Sequence, residues 1–201
     1  MKFSRLGYGM ILWMGVILIM GMTKEKTQLE KTTFAGGCFW CMQPIFDRLE
    51  GVKSTTVGYT GGEKKNPSYE EVSTGKTGHA EAIEVIYDPS KISYSKLLGA
   101  FWQSVDPTDP RGQFADKGSQ YRTAVFYHNE EQKKEALASK EKLAQSGTFD
   151  QPIVTEITPV SEFYPAEEYH QKYYIKNAGH YALYKVGSGR EGFLKKKWGK
   201  S

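Results

Sequence analysis

The segment from residue 32 to residue 49 constrains the fold more than any other part of this chain. Residues 32–35 have strand character and run into Gly36-Gly37, a pair that can turn sharply because glycine tolerates positive φ. Both cysteines of the chain, Cys38 and Cys41, come directly after this turn. Apolar residues then recur at the spacing of one helical face: Met42, Ile45, Phe46 and Leu49. The segment therefore predicts a strand, a tight turn and a helix, with both thiols at the turn.

The two thiols occupy different positions relative to this helix. Pro44 is best tolerated near the first turn of a helix, so we expect the helix to begin at about Cys41. Cys38 would then lie just ahead of the helix, where unpaired N–H groups stabilise a thiolate. This geometry favours Cys38 as the nucleophile and Cys41 as the thiol that resolves the oxidised product.

The rest of the chain continues as strands and helices of a single α/β domain. Strands are predicted at residues 52–59, 81–87, 121–127 and 153–158. Helices are predicted after Ser93, ending by Pro107, from Asn129 to about Gln145, and at residues 167–174, after which the tail shows little periodicity. The order β-α-β, loop, β-α-β predicts an α/β (α+β) fold, with a ferredoxin-like split βαβ core and additional C-terminal elements.

Glu81 begins the third predicted strand. Alternation along that strand puts it on the face of Ile83 and Val85. A carboxyl group held against an apolar environment has a raised pKa and can donate a proton near neutral pH. The alternative is that the strand begins after Glu81 and that the residue is solvated.

Charge and cysteine content exclude several classes of protein. The chain has 27 basic and 23 acidic residues, a net charge of +4 that is too small and too scattered to indicate nucleic-acid binding. Two cysteines cannot build a multi-disulfide scaffold, and no pair of histidines lies near them in sequence to complete a zinc site. We therefore expect no metal and no cofactor, and we interpret Lys195, Lys196 and Lys197 as part of a solvated tail.

Residues 1–23 form a separate segment. Lys2 and Arg5 precede an uncharged run from Leu6 to Thr23, which is of borderline length for a membrane span. An uncleaved anchor and a cleaved signal peptide both remain open, and the lack of an Ala-x-Ala site favours the anchor. Residues 24–30 would be a linker and residues 31–201 the catalytic domain. This domain is expected to be extracytoplasmic and monomeric, with membrane contact through the N-terminal segment only.

Four motifs together resemble the signatures of the A-type peptide methionine sulfoxide reductases. In chain order they are Gly37-Cys38-Phe39-Trp40, Gly78-His79-Ala80-Glu81, Gly118-Ser119-Gln120-Tyr121-Arg122 and Ala166-Glu167-Glu168-Tyr169-His170-Gln171. The similarity runs from about residue 32 to residue 199. It implies an enzyme that reduces the S epimer of methionine sulfoxide, free or in peptides and proteins, and so repairs oxidised proteins.

The resemblance also assigns roles to residues. Cys38 matches the nucleophile, which becomes a sulfenic acid as methionine is released. Glu81 matches the acid that protonates the sulfoxide oxygen. The other matches bind substrate: Phe39 and Trp40 form the pocket for the ε-methyl group, Tyr69 and Tyr121 donate hydroxyl groups to the oxygen, and Asp116 hydrogen-bonds in the same pocket.

The chain departs from many members of that family in its C-terminal tail, which contains no cysteine after Gly179. Cys41 is therefore the candidate resolving cysteine. We expect it to form a Cys38–Cys41 disulfide, which a thioredoxin-like partner reduces.

Two other functions fit parts of the pattern. A Cys-x-x-Cys motif at a helix start is also typical of thiol–disulfide oxidoreductases, although two large aromatic residues between the cysteines would crowd a protein disulfide. A membrane-tethered binding module with a structural disulfide is the non-catalytic alternative. Insulin reduction without sulfoxide turnover would indicate the first, and a disulfide that resists mild reductant would indicate the second.

Overall fold

A computed structural model describes residues 28–199, so residues 1–23 and residues 24–27 of the linker lie outside the described residues. The strands are β1 (Glu30–Gly36), β2 (Val52–Thr60), β3 (Ala80–Tyr87), β4 (Gly112–Gln113), β5 (Asp116–Lys117), β6 (Thr123–Tyr127), β7 (Glu156–Pro159) and β8 (Tyr164–Pro165). The α-helices are α1 (Phe39–Asp47), α2 (Tyr69–Ser73), α3 (Tyr94–Trp102), α4 (Glu130–Gln145), α5 (Tyr173–Lys176), α6 (Ala178–Gly187) and α7 (Arg190–Trp198). Within the described range, no helix is both long enough and apolar enough to span a membrane.

Six strands form one sheet in the order β7-β6-β1-β3-β2-β8. The four central strands pair antiparallel, β1 with β3 and β6, and β2 with β3. α1 links β1 to β2, and α3 lies on the connection from β3 to β6, so each helix crosses over a strand that lies between the two it joins. This is the ferredoxin-like split βαβ arrangement that the sequence predicts. β7, parallel to β6, and β8, antiparallel to β2, extend the two edges.

The main core lies between the sheet and the helices. The buried Phe34 ring of β1 stacks on Phe46 of α1 at 5.1 Å and on Phe101 of α3 at 5.2 Å between ring centroids. Burying an aromatic side chain of this size contributes about 1.5–3 kcal/mol. Glu81 lies in β3, two residues before the core residue Ile83, and is itself buried. Its carboxyl group accepts a hydrogen bond from Phe39 of α1, on the side of the sheet where Ile83 packs. The predicted strand parity is therefore confirmed, and the solvated alternative is wrong.

The first helix begins earlier than predicted. Cys38 is its N-cap and Phe39 its first residue, so Pro44 lies inside the helix rather than in its first turn. A proline there removes one N–H···O bond. The packing of Met42 and Phe46, 1% and 0% exposed, outweighs that loss. Burial against the sheet, which a local rule for proline does not include, explains the wrong boundary.

The C-terminal third contains more helix than the sequence predicts. The predicted helix at residues 167–174 is wrong: hydrogen-bonded turns lead to Lys172, which has a φ of 55°, and α5 begins only at Tyr173. The region expected to lack periodicity forms α6 and α7. The lysines at 195–197 belong to the last turn of α7, and Lys195 and Lys196 are exposed there, so they are solvated as predicted but helical. These short helices bury few residues of their own, so they leave little periodic signal.

Candidate active site

Cys38 is positioned by the turn between β1 and α1. Gly37 has a φ of 77°, and a Cβ there would lie 2.5 Å from the Cβ of Gln113, so only glycine fits this position. Cys38 follows as the N-cap of α1 and is 7% exposed. Cys38 and Cys41 are both free thiols. The turn thus presents a reduced thiol beneath the surface at the helix start.

The Glu81 carboxyl group lies against that helix start. Its Oε2 accepts a hydrogen bond from the Phe39 backbone N–H at 3.0 Å, and its side chain is nearly enclosed. Burial raises the pKa of Glu81 to about 8; the Phe39 N–H acts in the opposite direction, and the charge of Asp116 raises the pKa further. The carboxyl group is therefore protonated at neutral pH and is an acid within reach of the cysteine.

The resting Cys38 is a thiol, which corrects the prediction of a stabilised thiolate. Desolvation raises its pKa well above the usual value, and the charges of Glu81 and Cys41 add to that effect. The first N–H of α1, which would have favoured a thiolate, donates to Glu81 instead. The N–H group at the start of α1 therefore binds the acid, Glu81, and does not stabilise a thiolate on Cys38.

Tyr184 of α6 is a member of the site that sequence reasoning missed. Its hydroxyl group donates a hydrogen bond to Asp116 Oδ2 and lies close enough to the Cys38 thiol to lower the pKa of that thiol in part. Burial raises the pKa of Asp116, and the Tyr184 hydrogen bond lowers it again in part. Because α6 carries no clear periodic pattern, no signal in the sequence pointed to Tyr184.

The two predicted tyrosines also converge on this point. Tyr69 begins α2, and its backbone N–H donates to Glu167 Oε1 at 2.9 Å. Tyr121 ends a short 3-10 turn after β5. Desolvation raises the pKa of both phenols, and the next largest cause in each case is the charge of Glu81. Both hydroxyl groups therefore lie within electrostatic reach of the acid.

The aromatic pair next to Cys38 is largely covered by other side chains. Phe39 is 1% exposed and belongs to the core. Trp40 is partly buried: one face stacks on Tyr173 of α5, with 3.8 Å between ring centroids, and its indole N–H donates to His170 Nδ1 at 3.0 Å. His170 belongs to the motif Ala166-Glu167-Glu168-Tyr169-His170-Gln171, and here it fixes the orientation of the Trp40 ring.

Cys41 lies one turn further along α1. Its N–H donates to the Cys38 carbonyl at 3.1 Å, and its side chain is 3% exposed. Burial raises its pKa, and the largest opposing effect comes from the positive charge of Arg190. Arg190 is itself buried and donates to the carbonyl groups of Ser104, at 2.6 Å, and Gly36, at 2.7 Å. It thus ties α7 to the turn that carries Cys38.

The fold therefore brings the predicted site residues to one place. The acid, both cysteines and the aromatic pair meet at the start of α1, and the predicted residues of the two long loops reach the same point from α2, β5 and the 3-10 turn. The unpredicted members are Glu167, His170, Tyr184 and Arg190.

Comparisons with known proteins agree with this arrangement. The family model for peptide methionine sulfoxide reductase matches residues 30–201. The curated peptide methionine sulfoxide reductase MsrA of Bacillus subtilis is 55% identical over 178 residues, which cover 89% of this chain and 99% of that protein.

Solved structures share the fold. Mxr1 from Saccharomyces cerevisiae in its reduced form is 34% identical, with a TM-score of 0.71, covering 76% of this chain and 87% of that one. The structure of Mxr1 in complex with Trx2 is 26% identical, with a TM-score of 0.52, covering 75% and 91% of the two chains. The sequence and the fold both match methionine sulfoxide reductases. They do not match the two alternatives, a thiol–disulfide oxidoreductase and a binding module. The chain belongs to the peptide methionine sulfoxide reductase family.

Proposed function

We propose that Cys38, Glu81 and Cys41 carry separate steps of methionine sulfoxide reduction in this enzyme. The observation that carries the proposal is the buried carboxyl group of Glu81, which is protonated at neutral pH and bonded to the backbone N–H next to Cys38. A sulfoxide is a poor electrophile until its oxygen is protonated or hydrogen-bonded. A buried acid beside a thiol supplies that proton and the nucleophile together.

The first step balances as follows. Glu81 gives its proton to the sulfoxide oxygen while the Cys38 sulfur attacks the sulfoxide sulfur, and the thiol proton passes to the Glu81 carboxylate. In the intermediate, the new bond between the two sulfurs and the S–O bond of the substrate then break as the hydroxyl group is transferred to Cys38. Methionine leaves, and Cys38 remains as a sulfenic acid. The sulfoxide is reduced by two electrons and the cysteine is oxidised by two.

The surrounding side chains hold the substrate. The hydroxyl groups of Tyr69 and Tyr121, within electrostatic reach of Glu81, donate to the sulfoxide oxygen. Asp116 accepts a hydrogen bond from Tyr184 and holds that side chain in place at the same pocket. Phe39 and Trp40 receive the methyl group. Because Tyr173 stacks on one face of Trp40, substrate uses another face of that ring or displaces Tyr173.

Cys41 resolves the oxidised enzyme. Its thiol attacks the Cys38 sulfenic acid, water leaves, and a Cys38–Cys41 disulfide forms. A thioredoxin-like dithiol protein then reduces this disulfide. The complex of the related Mxr1 with Trx2 supports a reductant of this class.

The Cys41→Ser variant tests this division. It should release about one equivalent of methionine per enzyme and then stall with thioredoxin, whereas Cys38→Ser should release none. Each epimer of a peptide methionine sulfoxide is supplied to the full-length chain, and turnover of the S epimer is expected. Sustained thioredoxin-driven turnover by Cys41→Ser would contradict the role of Cys41.

We also propose that residues 1–23 keep the enzyme at the membrane, with the domain on the extracytoplasmic side. The uncharged run after Lys2 and Arg5 supports this placement. Fractionation followed by protease treatment of intact cells tests it. Protein that stays in the soluble cytoplasmic fraction would contradict it.

A further inference from the structure

A groove beside Cys41 is not used by the sulfoxide chemistry. It encloses about 270 Å³ between α1, α6 and α7, and Cys41 forms part of its wall, whereas Cys38 does not. Pro44 and Ile45 line one side, and Leu194 and Trp198 line the other. The groove therefore reaches one cysteine of the pair from a separate direction.

The groove is strongly cationic. Four basic side chains line it, from Arg48, Lys185, Arg190 and Lys195, against the single carboxylate of Glu191. Glu191 pairs with Lys185 at 3.3 Å. Within residues 28–199, Arg48, Arg190 and Lys195 form no ion pair, since Arg190 bonds to uncharged groups. Arg48 and Lys195 thus place two exposed positive charges at the groove without an ion pair, and the buried Arg190 adds a third charge behind its wall.

We propose that this groove docks a carboxylate-bearing segment of the dithiol protein that reduces the enzyme, and that the attack of this protein falls on the sulfur of Cys41. The inference rests on the proposed Cys38–Cys41 disulfide. Opposite charge across an interface speeds encounter and fixes orientation. After methionine has left, the reductant is the molecule that has to reach the disulfide. An acidic segment bound beside Cys41 at that stage would therefore belong to the reductant.

The exposed rim of the groove favours a protein segment over an enclosed small ligand. Pockets that enclose drug-sized molecules measure about 300–1,000 Å³. The groove lies just below that range, and its residues Arg48, Lys195 and Glu191 are exposed on its rim. A loop that inserts one or two side chains while its neighbours contact the rim fits this shape.

The exchange is balanced. A thiolate of the reductant attacks Cys41, the Cys38–Cys41 bond breaks, and Cys38 leaves and takes a proton. The second thiol of the reductant then attacks its own mixed-disulfide sulfur, and Cys41 leaves and is protonated in turn. The reductant becomes a disulfide, and the enzyme regains both thiols. Arg190 and Lys185, which favour negative charge on Cys41, assist the second departure.

Charge reversal in the groove tests the docking site on the full-length chain. For Lys195→Glu, the ratio of thioredoxin-driven to dithiothreitol-driven turnover should fall about three- to tenfold at low salt, and the difference should shrink as salt is added. Lys134→Glu changes the net charge equally on the exposed surface of α4 and should leave the ratio as in the wild type. Equal ratios for the two variants would overturn the proposal. So would a Lys195→Glu variant that turns over more slowly with glutathione as the reductant but at the wild-type rate with thioredoxin.

Trapping identifies the attacked sulfur. After one turnover, the enzyme is mixed with a thioredoxin whose second cysteine is serine, and the mixed disulfide is mapped by mass spectrometry. A link to Cys41 is expected. If the Cys38–Cys41 disulfide forms normally but thioredoxin is trapped on Cys38, only the docking inference is overturned. A methionine burst without any Cys38–Cys41 disulfide overturns the proposed resolving step and the docking inference with it.

Discussion

The Glu81 carboxyl group combines burial with a hydrogen bond from the helix that carries Cys38. Glu81→Gln keeps an acceptor for the Phe39 N–H but removes the proton, so single-turnover methionine release should fall about 10²–10⁴-fold. In the wild type, release should decline above the pKa of about 8 that burial gives Glu81. At pH 9 about a tenth of the carboxyl group still holds its proton. Rapid-quench measurement of methionine across pH 6–10 follows both effects.

A second glutamate of the same strand is the control. Glu84 of β3 is partly exposed and pairs with Lys31 at 2.9 Å, so Glu84→Gln should release methionine at the wild-type rate. A wild-type rate that rises through pH 8 would contradict the acid role. Such a profile would mean that the reactive form has lost a proton from the Cys38–Glu81 pair.

Arg190 is the other residue on which the site depends. Its guanidinium group donates to the carbonyl groups of Gly36 and Ser104, both otherwise enclosed, and lies 4.7 Å from the Phe114 ring centre. Arg190→Met leaves two acceptors without these donors and should cost about 3 kcal/mol in the free energy of unfolding. Urea denaturation measures this change. Arg111→Met, at a side chain that is 83% exposed, should change stability by less than about 0.5 kcal/mol; equal losses in both variants would contradict the structural role.

At the scale of elements, α6 differs from the rest of the domain. It contains no buried residue, and Leu183 and Val186 are 77% and 71% exposed. Few buried apolar contacts mean that an element opens at low free-energy cost. Amide hydrogens of α6 should therefore exchange at least about 100-fold faster than those of β3, as measured by mass spectrometry of the full-length chain. Equal protection of α6 and β3 would show that Tyr184 and its neighbours hold the helix more firmly than its burial indicates.

The helices that the sequence predicts well carry local signals. Ser93 and Asn129 cap α3 and α4 through their side chains, as their residue types indicate. The elements predicted wrongly depend on distant contacts. α7 is tied to the body by the buried Arg190, and the chain turns at Lys172, whose N–H donates to Gln43 Oε1 at 2.7 Å, 129 residues away in sequence. Contacts of this kind leave no periodic pattern to read.

The same distinction applies to the site. Glu81 could be predicted because strand alternation fixes the face on which a residue lies. Tyr69, Asp116 and Tyr121 lie in short elements within long loops, where no period exists, so only the family resemblance pointed to them. Tyr184 lacked both signals. Its place beside Cys38 follows from the way α6 packs over the start of α1.

For the molecule as a whole, Glu81 should make stability depend on pH. Its pKa is raised from the ordinary value to about 8 by burial, so the folded state holds this proton more tightly than the unfolded chain does. The stability that it contributes is complete below about pH 4.5 and is lost as pH rises to about 8, with a slope of at most about 1.4 kcal/mol per pH unit. Urea denaturation at pH 5, 6.5 and 8 should therefore show that the free energy of unfolding of Glu81→Gln rises relative to that of the wild type as pH increases.

Glu167 supplies the opposite case and the control for that measurement. Burial raises its pKa, but hydrogen bonds from the Tyr69 N–H and the Tyr59 hydroxyl group outweigh burial and leave the pKa lowered. Its contribution is present above the unfolded pKa and is lost only as the solution becomes acidic. The difference between Glu167→Gln and the wild type should thus stay constant from pH 5 to pH 8. If the Glu81→Gln difference is equally constant, the Glu81 carboxyl group is ionised in the folded enzyme at neutral pH and cannot be the proton donor.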